Sequence, residues 1–493
     1  MVIHMKFEKF YQYLTLFLVG AVVLIMEIGG ARLLAPFFGS TIYVWSSLIT
    51  VTLGFLTLGY YFGGVVGDKY KSFQLWYGII ASASTLAIFL LKINRYLLVF
   101  SDNFGFKWGP LVASILIFAL PLVFYSMSGP ILIRLFSLKI DKSGSISGNI
   151  FAISTLGSLF GALLAGFMLI PNYSLALVLL VSNLILGILA IIGLILEKTK
   201  WSLLVFFALA LLLVYFLPIF NINSENKVTI IHSEPSFYAD LKVAQMQNVD
   251  MLLMDGSAQS VFSRLENQSF AYEALQINKQ LVDMSDDAKI LVLGYGVGMV
   301  GEVFSEKFAI DYVELDPKMI ELSQDYFDYN LDDNDEMYIA DARQFLRQTD
   351  KKYDVVYIDL YHSSVIPYHT HTKEALELLK TRLNDNALVF CNILGEKDSA
   401  LLQSLAMTMN SVFKNIYFSS TQDGFANILA YATDNDDFVP DFSFRHKEIS
   451  ISTDQAVLIT DDKNPLDRLS SERLDGFLSA TKEVLGYEAM FAI

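Results

Sequence analysis

The sequence predicts two fold classes in one chain: a multi-span α-helical membrane domain over residues 1–220, followed by an α/β domain over residues 221–493. Three observations predict it. The first part contains repeated apolar runs long enough to cross a bilayer, which takes about 20 residues of helix. Beyond Asn221 the apolar runs shorten and are separated by polar turns, the pattern of a water-soluble domain. Within that second part, the apolar run Ile290–Leu293 passes into a glycine-rich turn and then a helix-length segment, the opening of a βαβ unit.

Charge divides at the same place. Up to Phe220 there are 13 Lys+Arg and 6 Asp+Glu, a balance of +7; after it there are 22 and 45, a balance of −23, which together give the net −16. The acidic half argues against nucleic acid as a partner, because neutralising phosphates needs a basic face. It argues equally against flat contact with anionic lipid.

Spans are predicted near 12–33, 43–66, 73–91, 110–133, 149–170, 174–196 and 201–219, about seven in all. The first apolar run lacks a small-residue cleavage site and continues into more apolar sequence, so it reads as a retained span rather than a signal peptide. Gly54, Gly59, Gly63 and Gly64, and Gly157, Gly161 and Gly166, are expected to let helices approach closely. Glu27 and Arg32 interrupt or border the first span and are expected to pair with each other or with Arg134. No doubled, inverted-repeat transporter pattern is visible.

In the second part, residues 221–287 form a small β-rich region, with alternation over 228–265 and turn signals at Asn248–Asp250 and Asp255-Gly256. Residues 288–493 carry strand-like runs at Ile290–Leu293, Tyr312–Leu315, Val355–Ile358 and Leu388–Asn392, separated by helix-length segments, the rhythm of a doubly wound parallel sheet. The lone cysteine, Cys391, sits in one of these runs and reads as a small core hydrophobe. A single cysteine also excludes a disulfide framework and a thiolate metal cluster.

The chemistry concentrates at strand ends. Gly294, Gly296 and Gly298 follow the first strand, where the backbone must turn tightly and admit a ligand without a Cβ in the way. Glu314 stands at the tip of the next strand, with Asp316 just after; a carboxylate there can accept from both ribose hydroxyls. Asp341-Ala342 follows a third strand at Met337–Ala340 and opens a helix, within reach of an adenine amino group. Asp359 ends a fourth strand, over the crevice where open α/β sheets transform ligands.

With these residues in place, 228–393 resemble spermidine synthase, the aminopropyltransferase family with a methyltransferase-type Rossmann-like fold. The whole chain resembles the subfamily in which that domain follows a multi-span membrane domain. Further matches are Glu27–Gly39, Gly63-Gly64 before Asp68, Gly148–Pro171, the Asp359…Pro367…His369…Glu374 stretch, and Leu458–Asp462 with Pro465. The resemblance implies that Gly294, Gly296, Gly298, Glu314, Asp341 and Ala342 bind the adenosyl part of decarboxylated S-adenosylmethionine, and that Asp359 is the catalytic carboxylate. It places Tyr238, Gln259 and His362 on the acceptor side. Val297 replaces an acid of the glycine turn, His362 replaces the acid three residues past Asp359, and Ala239 replaces a Gln, so a doubly charged diamine acceptor such as putrescine is not supported.

The leading expectation is a membrane-anchored aminopropyltransferase-like enzyme of polyamine metabolism, acting on a small-molecule amine. Two alternatives stay open: methyl transfer from S-adenosylmethionine itself, and a non-catalytic nucleoside or polyamine sensor or transporter. His362, His369 and His371 lack clear third and fourth ligands, so no metal is expected. The bilayer is an implied partner, and a homo-oligomer is left open.

The positive-inside rule assigns Lys6, Lys9, Lys69, Lys71, Arg134, Lys139, Lys142, Lys198 and Lys200 to one side, against Lys92, Arg95, Lys107 and borderline Arg32 on the other. That puts the N-terminus in the cytoplasm of a multi-pass cell-membrane protein. Seven spans would put the acidic domain outside, away from a cytosolic donor. The expectation is a cytoplasmic domain, with an eighth embedded stretch in 93–106 or a break at Pro36, Gly39 or Gly64.

Overall fold

The computed structural model describes residues 2–137, 143–218, 228–264, 268–269, 272–304, 307–442 and 445–491. The expected domain boundary at 220/221, and Lys139 and Lys142, lie outside these described residues. Two compact units are present. The first holds Met1–Asn226 with Glu234–Asp240 and Met490–Ile493; the second holds Lys227–Ser233 with Leu241–Ala489.

The first unit contains α1 (Lys6–Phe38), α2 (Ile42–Lys69), α3 (Phe73–Lys92), α4 (Asn94–Asp102), α5 (Gly105–Phe136), α6 (Ser143–Asn172), α7 (Leu175–Leu196) and α8 (Trp201–Phe216). Six of these, all but α4 and α8, are long and apolar enough to cross a bilayer. The segment expected as the seventh span, α8, has 16 residues, about 24 Å at 1.5 Å per residue. It runs alongside α3: Phe207 packs on Gly78, Leu211 and Val214 cluster with Ile88, and the Lys92 ammonium lies 6.0 Å from the Tyr215 ring centre.

The expected eighth stretch is α4, whose nine residues are too few to cross. Nor do Pro36 and Gly64 break their helices, because α1 runs through to Phe38 and α2 through to Lys69. Gly39, with φ 72°, lies between the two helices.

Small residues do bring helices together, though at only some of the expected positions. A Cβ on Gly157 would stand 1.9 Å from the Phe17 carbonyl oxygen, and one on Gly161 2.4 Å from that of Ala21, so α1 and α6 touch backbone to backbone. Gly59 and Gly63 meet α5 at Ser126 and Met127 in the same way, whereas Gly54, Gly64 and Gly166 face open space. The expected partners of the charged residues also change. Arg134 pairs with Asp68 at 3.0 Å, and Arg32 donates to the Phe237 carbonyl, both within the first unit.

The second unit begins with a five-stranded sheet of β1 (Thr229–Pro235), β2 (Asp240–Met246), β3 (Val249–Met254), β4 (Ser257–Ser263) and β5 (Gln268–Ser269), in that order. Asp255 and Gly256 take φ 47° and 78°, the two left-handed residues of a tight hairpin turn. The other turn falls at Gln247-Asn248, because Val249 and Asp250 already pair within β3.

Then follow α9 (Tyr272–Gln280), β6 (Ile290–Leu293), α10 (Met299–Phe304), β7 (Ile310–Glu314), α11 (Lys318–Tyr326), β8 (Glu336–Ile339), α12 (Ala342–Gln348) and β9 (Tyr353–Ile358). The unit closes with α13 (Lys373–Lys380), β10 (Leu383–Gly395), α14 (Ala400–Asn410), β11 (Asn415–Ser420), β12 (Ala426–Thr433), β13 (Lys447–Glu448) and α15 (Leu466–Leu485). The sheet order is β13-β11-β12-β10-β9-β6-β7-β8. From β10 to β8 the strands are parallel, as the sequence predicts; β11, β12 and β13 pair antiparallel, so the sheet is mixed rather than wholly parallel. All four residues of β6 are buried, as are Val355–Ile358 of β9, which explains their unbroken apolar character.

The backbone contact between α1 and α6 yields a first prediction. Gly157→Val in the detergent-solubilised full chain is expected to lower its thermal unfolding temperature by several degrees, while Gly166→Val, at an open position, leaves it unchanged. Equal effects of the two substitutions would refute close packing at Gly157.

Candidate active site

The parallel strands β6 and β9 are neighbours in space but not in sequence, so the connections from their carboxyl ends diverge between them. Open α/β sheets bind ligands at such a switch point. Gly294 leaves β6 there with φ 99°, and a Cβ on it would stand 2.1 Å from the Asp359 carbonyl oxygen. Only glycine admits both the left-handed conformation and that approach. The two strand ends are locked by Asp359 N–H donating to Leu293 O at 2.8 Å and Gly294 N–H to Val313 O at 2.9 Å.

Asp359 therefore presents its carboxylate at the mouth of the crevice. Tyr357 lies two residues earlier on the same strand face and donates its hydroxyl to Oδ2 at 3.2 Å. Asn392 lies one step beyond the Cys391–Ile358 pair of β10 and β9, and donates Nδ2 to Oδ1 at 3.0 Å. Burial raises the Asp359 pKa above the ordinary carboxylate value, while the Asn392 and Tyr357 hydrogen bonds pull it back. Among the described residues, the buried Oδ1 of Asn392 has no hydrogen-bond partner. Neither Tyr357 nor Asn392 was expected from sequence, although a lone amide within the apolar run Ala387–Leu394 is a signal that could have marked Asn392.

At the end of β7, Glu314 ties the glycine turn to its neighbour strand. Its Oε2 accepts from Tyr295 N–H at 3.0 Å, and its Oε1 from Leu315 and Asp316 N–H at 2.7 and 2.9 Å. Burial pushes its pKa up against those three donors. Asp341 caps α12 by accepting from Gln344 N–H at 2.9 Å, and its other oxygen lies 2.7 Å from His369 Nε2. That imidazole is the main cause holding the Asp341 carboxyl below the usual range. Ala342 is buried in the first turn of the same helix. Gly296 and Gly298 take φ 59° and 80° in the turn, and Val297 between them is buried.

The residues expected on the acceptor side are placed differently from one another. Gln259 donates to the Ser363 carbonyl at 2.9 Å and so joins β4 to the loop after Asp359. His362 closes a tight turn on Val365 through two backbone hydrogen bonds. Tyr238 lies on the Glu234–Asp240 stretch, which belongs to the first unit.

The other two imidazoles are engaged within the protein. Thr370 Oγ1 donates to the Pro367 carbonyl at 2.8 Å, so it accepts from His371 Nδ1–H at 2.8 Å. His371 Nε2 is then the acceptor for the Cys391 thiol, 3.4 Å away. Burial, with a smaller effect of His369, drives the His371 pKa down to about 4, and burial raises the Cys391 thiol. His369 and His371 lie in turns, not on a strand.

Strand order, glycine turn and acidic strand ends together define an α/β domain of the methyltransferase-type class. Residues 269–433 match the spermine/spermidine synthase domain. A polyamine aminopropyltransferase of Vibrio vulnificus (strain CMCP6) is 26% identical over 202 residues, covering 38% of this chain and 67% of the relative. Polyamine aminopropyltransferase 2 of Aquifex aeolicus (strain VF5) is 25% identical over 421 residues, 77% of this chain and 81% of the relative, so that alignment extends into the helical half. The chain spans about a third of the length of two further relatives, from Bifidobacterium longum and Oceanobacillus iheyensis. Spermidine synthase from Thermotoga maritima, at 19% identity, aligns over 52% of this chain and 87% of its own with a TM-score of 0.35. Residues 269–433 are thus similar to a spermine/spermidine synthase domain, and the chain is similar to polyamine aminopropyltransferases within that stretch and beyond it.

The raised Asp359 pKa has a sign that stability can report. Its stabilising effect is complete below the unfolded carboxyl value, about 4, and is lost as pH rises through the higher folded value. Asp359→Asn should therefore unfold a few degrees above wild type at neutral pH, with the gain shrinking toward pH 4. A lower unfolding temperature at neutral pH would mean that hydrogen bonding to the carboxylate outweighs its burial.

Proposed function

We propose that the α/β unit transfers an aminopropyl group from decarboxylated S-adenosylmethionine to an amine, with Asp359 as the base. The observation that carries this is the Asp359 carboxylate at the switch point, held by two neutral donors and, among the described residues, paired with no cation, beside the orphan acceptor of Asn392. An amine supplies the N–H groups that both acceptors lack. Its nitrogen lone pair attacks the methylene next to the sulfonium; the C–N bond forms, and the C–S bond breaks with its electron pair going to sulfur. Methylthioadenosine leaves as a neutral thioether, and the proton released from nitrogen passes to Asp359. Glu314 and Asp341 keep lone pairs beyond those already used, and with Gly294, Gly296, Gly298 and Ala342 they support the adenosyl end. The domain match and the names of the relatives support the same chemistry. Methyl transfer is the second reading, favoured by Val297, which puts no acid in the glycine turn.

Calorimetric titration of the full chain in detergent with methylthioadenosine, decarboxylated S-adenosylmethionine and S-adenosylmethionine tests the assignment. The decarboxylated form is expected to bind more tightly than the intact one; the reverse order supports methyl transfer. Glu314→Gln should weaken nucleoside binding about tenfold or more. Asp359→Asn should keep that binding and lose about 10²–10⁴ in turnover. Undiminished turnover in Asp359→Asn would show that the base lies elsewhere.

We propose further that the α/β unit lies in the cytoplasm, on the side of the basic loops. Six helices among the described residues, long and apolar enough to cross a bilayer, support this, because α4 and α8 are both too short to make the number odd. With the basic loops cytoplasmic, an even number of crossings returns the chain to the cytosol. A phosphatase reporter active only outside the cytoplasm, fused after Ile493, should then be inactive, and a cytoplasm-dependent reporter at the same site active. An active phosphatase would place the domain outside and make α8 a seventh crossing.

A further inference from the structure

Residues 367–374 and 458–462, both singled out in the sequence, converge in the structure on one imidazole. Asp461 accepts a fork from Arg343, the second residue of α12, at 2.8 and 2.6 Å, and a third bond from Thr372 Oγ1 at 2.8 Å. Arg343 Nη1 also donates to the His369 carbonyl at 3.1 Å. Just before it, the Tyr368 carbonyl accepts from Asn464 Nδ2 at 2.6 Å, and the Pro367 carbonyl from Thr370 Oγ1 at 2.8 Å. Three consecutive carbonyls are thus held by side-chain donors, which fixes a segment that belongs to neither strand nor helix.

From that segment His369 reaches across to Asp341, its Nε2 lying 2.7 Å from Oδ2. The carboxyl is held below its usual range, chiefly by this imidazole, so Asp341 accepts and Nε2–H donates. Oδ1 accepts from Gln344 N–H at 2.9 Å. One donor on each oxygen fixes the plane of the carboxylate, and each oxygen keeps a second acceptor site whose direction is thereby set. The side chains are 33% exposed at His369 and 29% at Asp341, so a ligand has access to those sites. His371, two residues on, is buried and commits its ring nitrogens to Thr370 and Cys391. One imidazole closes the core; the other orients a carboxylate at the surface of the crevice.

We propose that His369 is a positioning residue of the nucleoside site: it aims Asp341 at the 6-amino group of the purine and so sets the preference for adenine over hypoxanthine. This rests on the reading above, in which Asp341 supports the adenosyl end, and deepens it by naming what holds that residue. An amino group donates to an aimed carboxylate, whereas the 6-oxo group of hypoxanthine turns a lone pair toward it. A site built for an N–H donor rejects the analogue that lacks one. With the imidazole gone, the carboxylate swings about its remaining bond to Gln344, and the hold on the amino group and the penalty on the oxo group relax together. Arg343 and Asp461 take part at one remove, since they fix the backbone from which His369 reaches.

The test is calorimetric titration of the full chain in detergent with methylthioadenosine and with methylthioinosine, its 6-oxo counterpart, and needs no turnover. Wild type should favour methylthioadenosine. In His369→Ala the affinity for methylthioadenosine should fall about threefold to tenfold, while that for methylthioinosine holds or rises, so that the ratio narrows. His369→Gln, whose amide N–H takes the place of Nε2–H, should restore most of the ratio, and Asp341→Asn should lose it. A His369→Ala protein that weakens both nucleosides equally, or that keeps the wild-type ratio while Asp341→Asn loses it, overturns the role of His369 and leaves the adenosyl reading standing. A ratio that neither substitution moves overturns that reading as well.

Discussion

The contact between the ends of β6 and β9 is the constraint on which the rest of the crevice depends. With no side chain at 294, the Asp359 backbone can lie against the glycine turn and donate to Leu293, which fixes where its carboxylate emerges. From that point β10 in register supplies Asn392, and β9 itself supplies Tyr357. On the other side of β6, the same turn is anchored by Tyr295 N–H on Glu314. A methyl group at one position would thus press on both halves of the site at once.

Two electrostatic regimes meet within the unit. Around the rim, carboxylates are matched by fixed cations: Arg343 forks onto Asp461 at 2.8 and 2.6 Å, Thr372 adds a third bond to Asp461, and Lys351 bridges Asp311 and Glu336. These join the segment before α15 to α12 and the start of α13, and fasten the lower edge of the sheet. Inside the crevice, Asp359 and Glu314 are met, among the described residues, by an amide, a phenol and backbone N–H groups. Neutral donors hold a carboxylate in place without consuming its charge, so the field remains available to a ligand.

What could be read in the sequence was local. The glycine turn, Glu314 and Asp359 declare themselves because a strand end, a left-handed turn and an acid follow one another within a few residues. Asn392 hides in an apolar strand, and its role arises only from the register between β9 and β10. His369 meets Asp341 across 28 residues, a contact no spacing rule reports. Apolar runs gave the parallel strands but not the direction of β11–β13, since a buried run reads alike in both senses. In the helical half, hydropathy found the long helices, while the position of α8 against α3 needed side-chain packing to see.

The chain of hydrogen bonds from Cys391 through His371 and Thr370 to the Pro367 carbonyl also bears on durability. The attacking species in peroxide chemistry and in disulfide exchange is the thiolate. Here burial and a proton committed to His371 withhold it, one strand away from Asp359. With no other cysteine in the sequence, there is no resolving thiol either. The crevice is therefore indifferent to the redox poise around it, and would keep its geometry in oxidising surroundings as readily as in reducing ones.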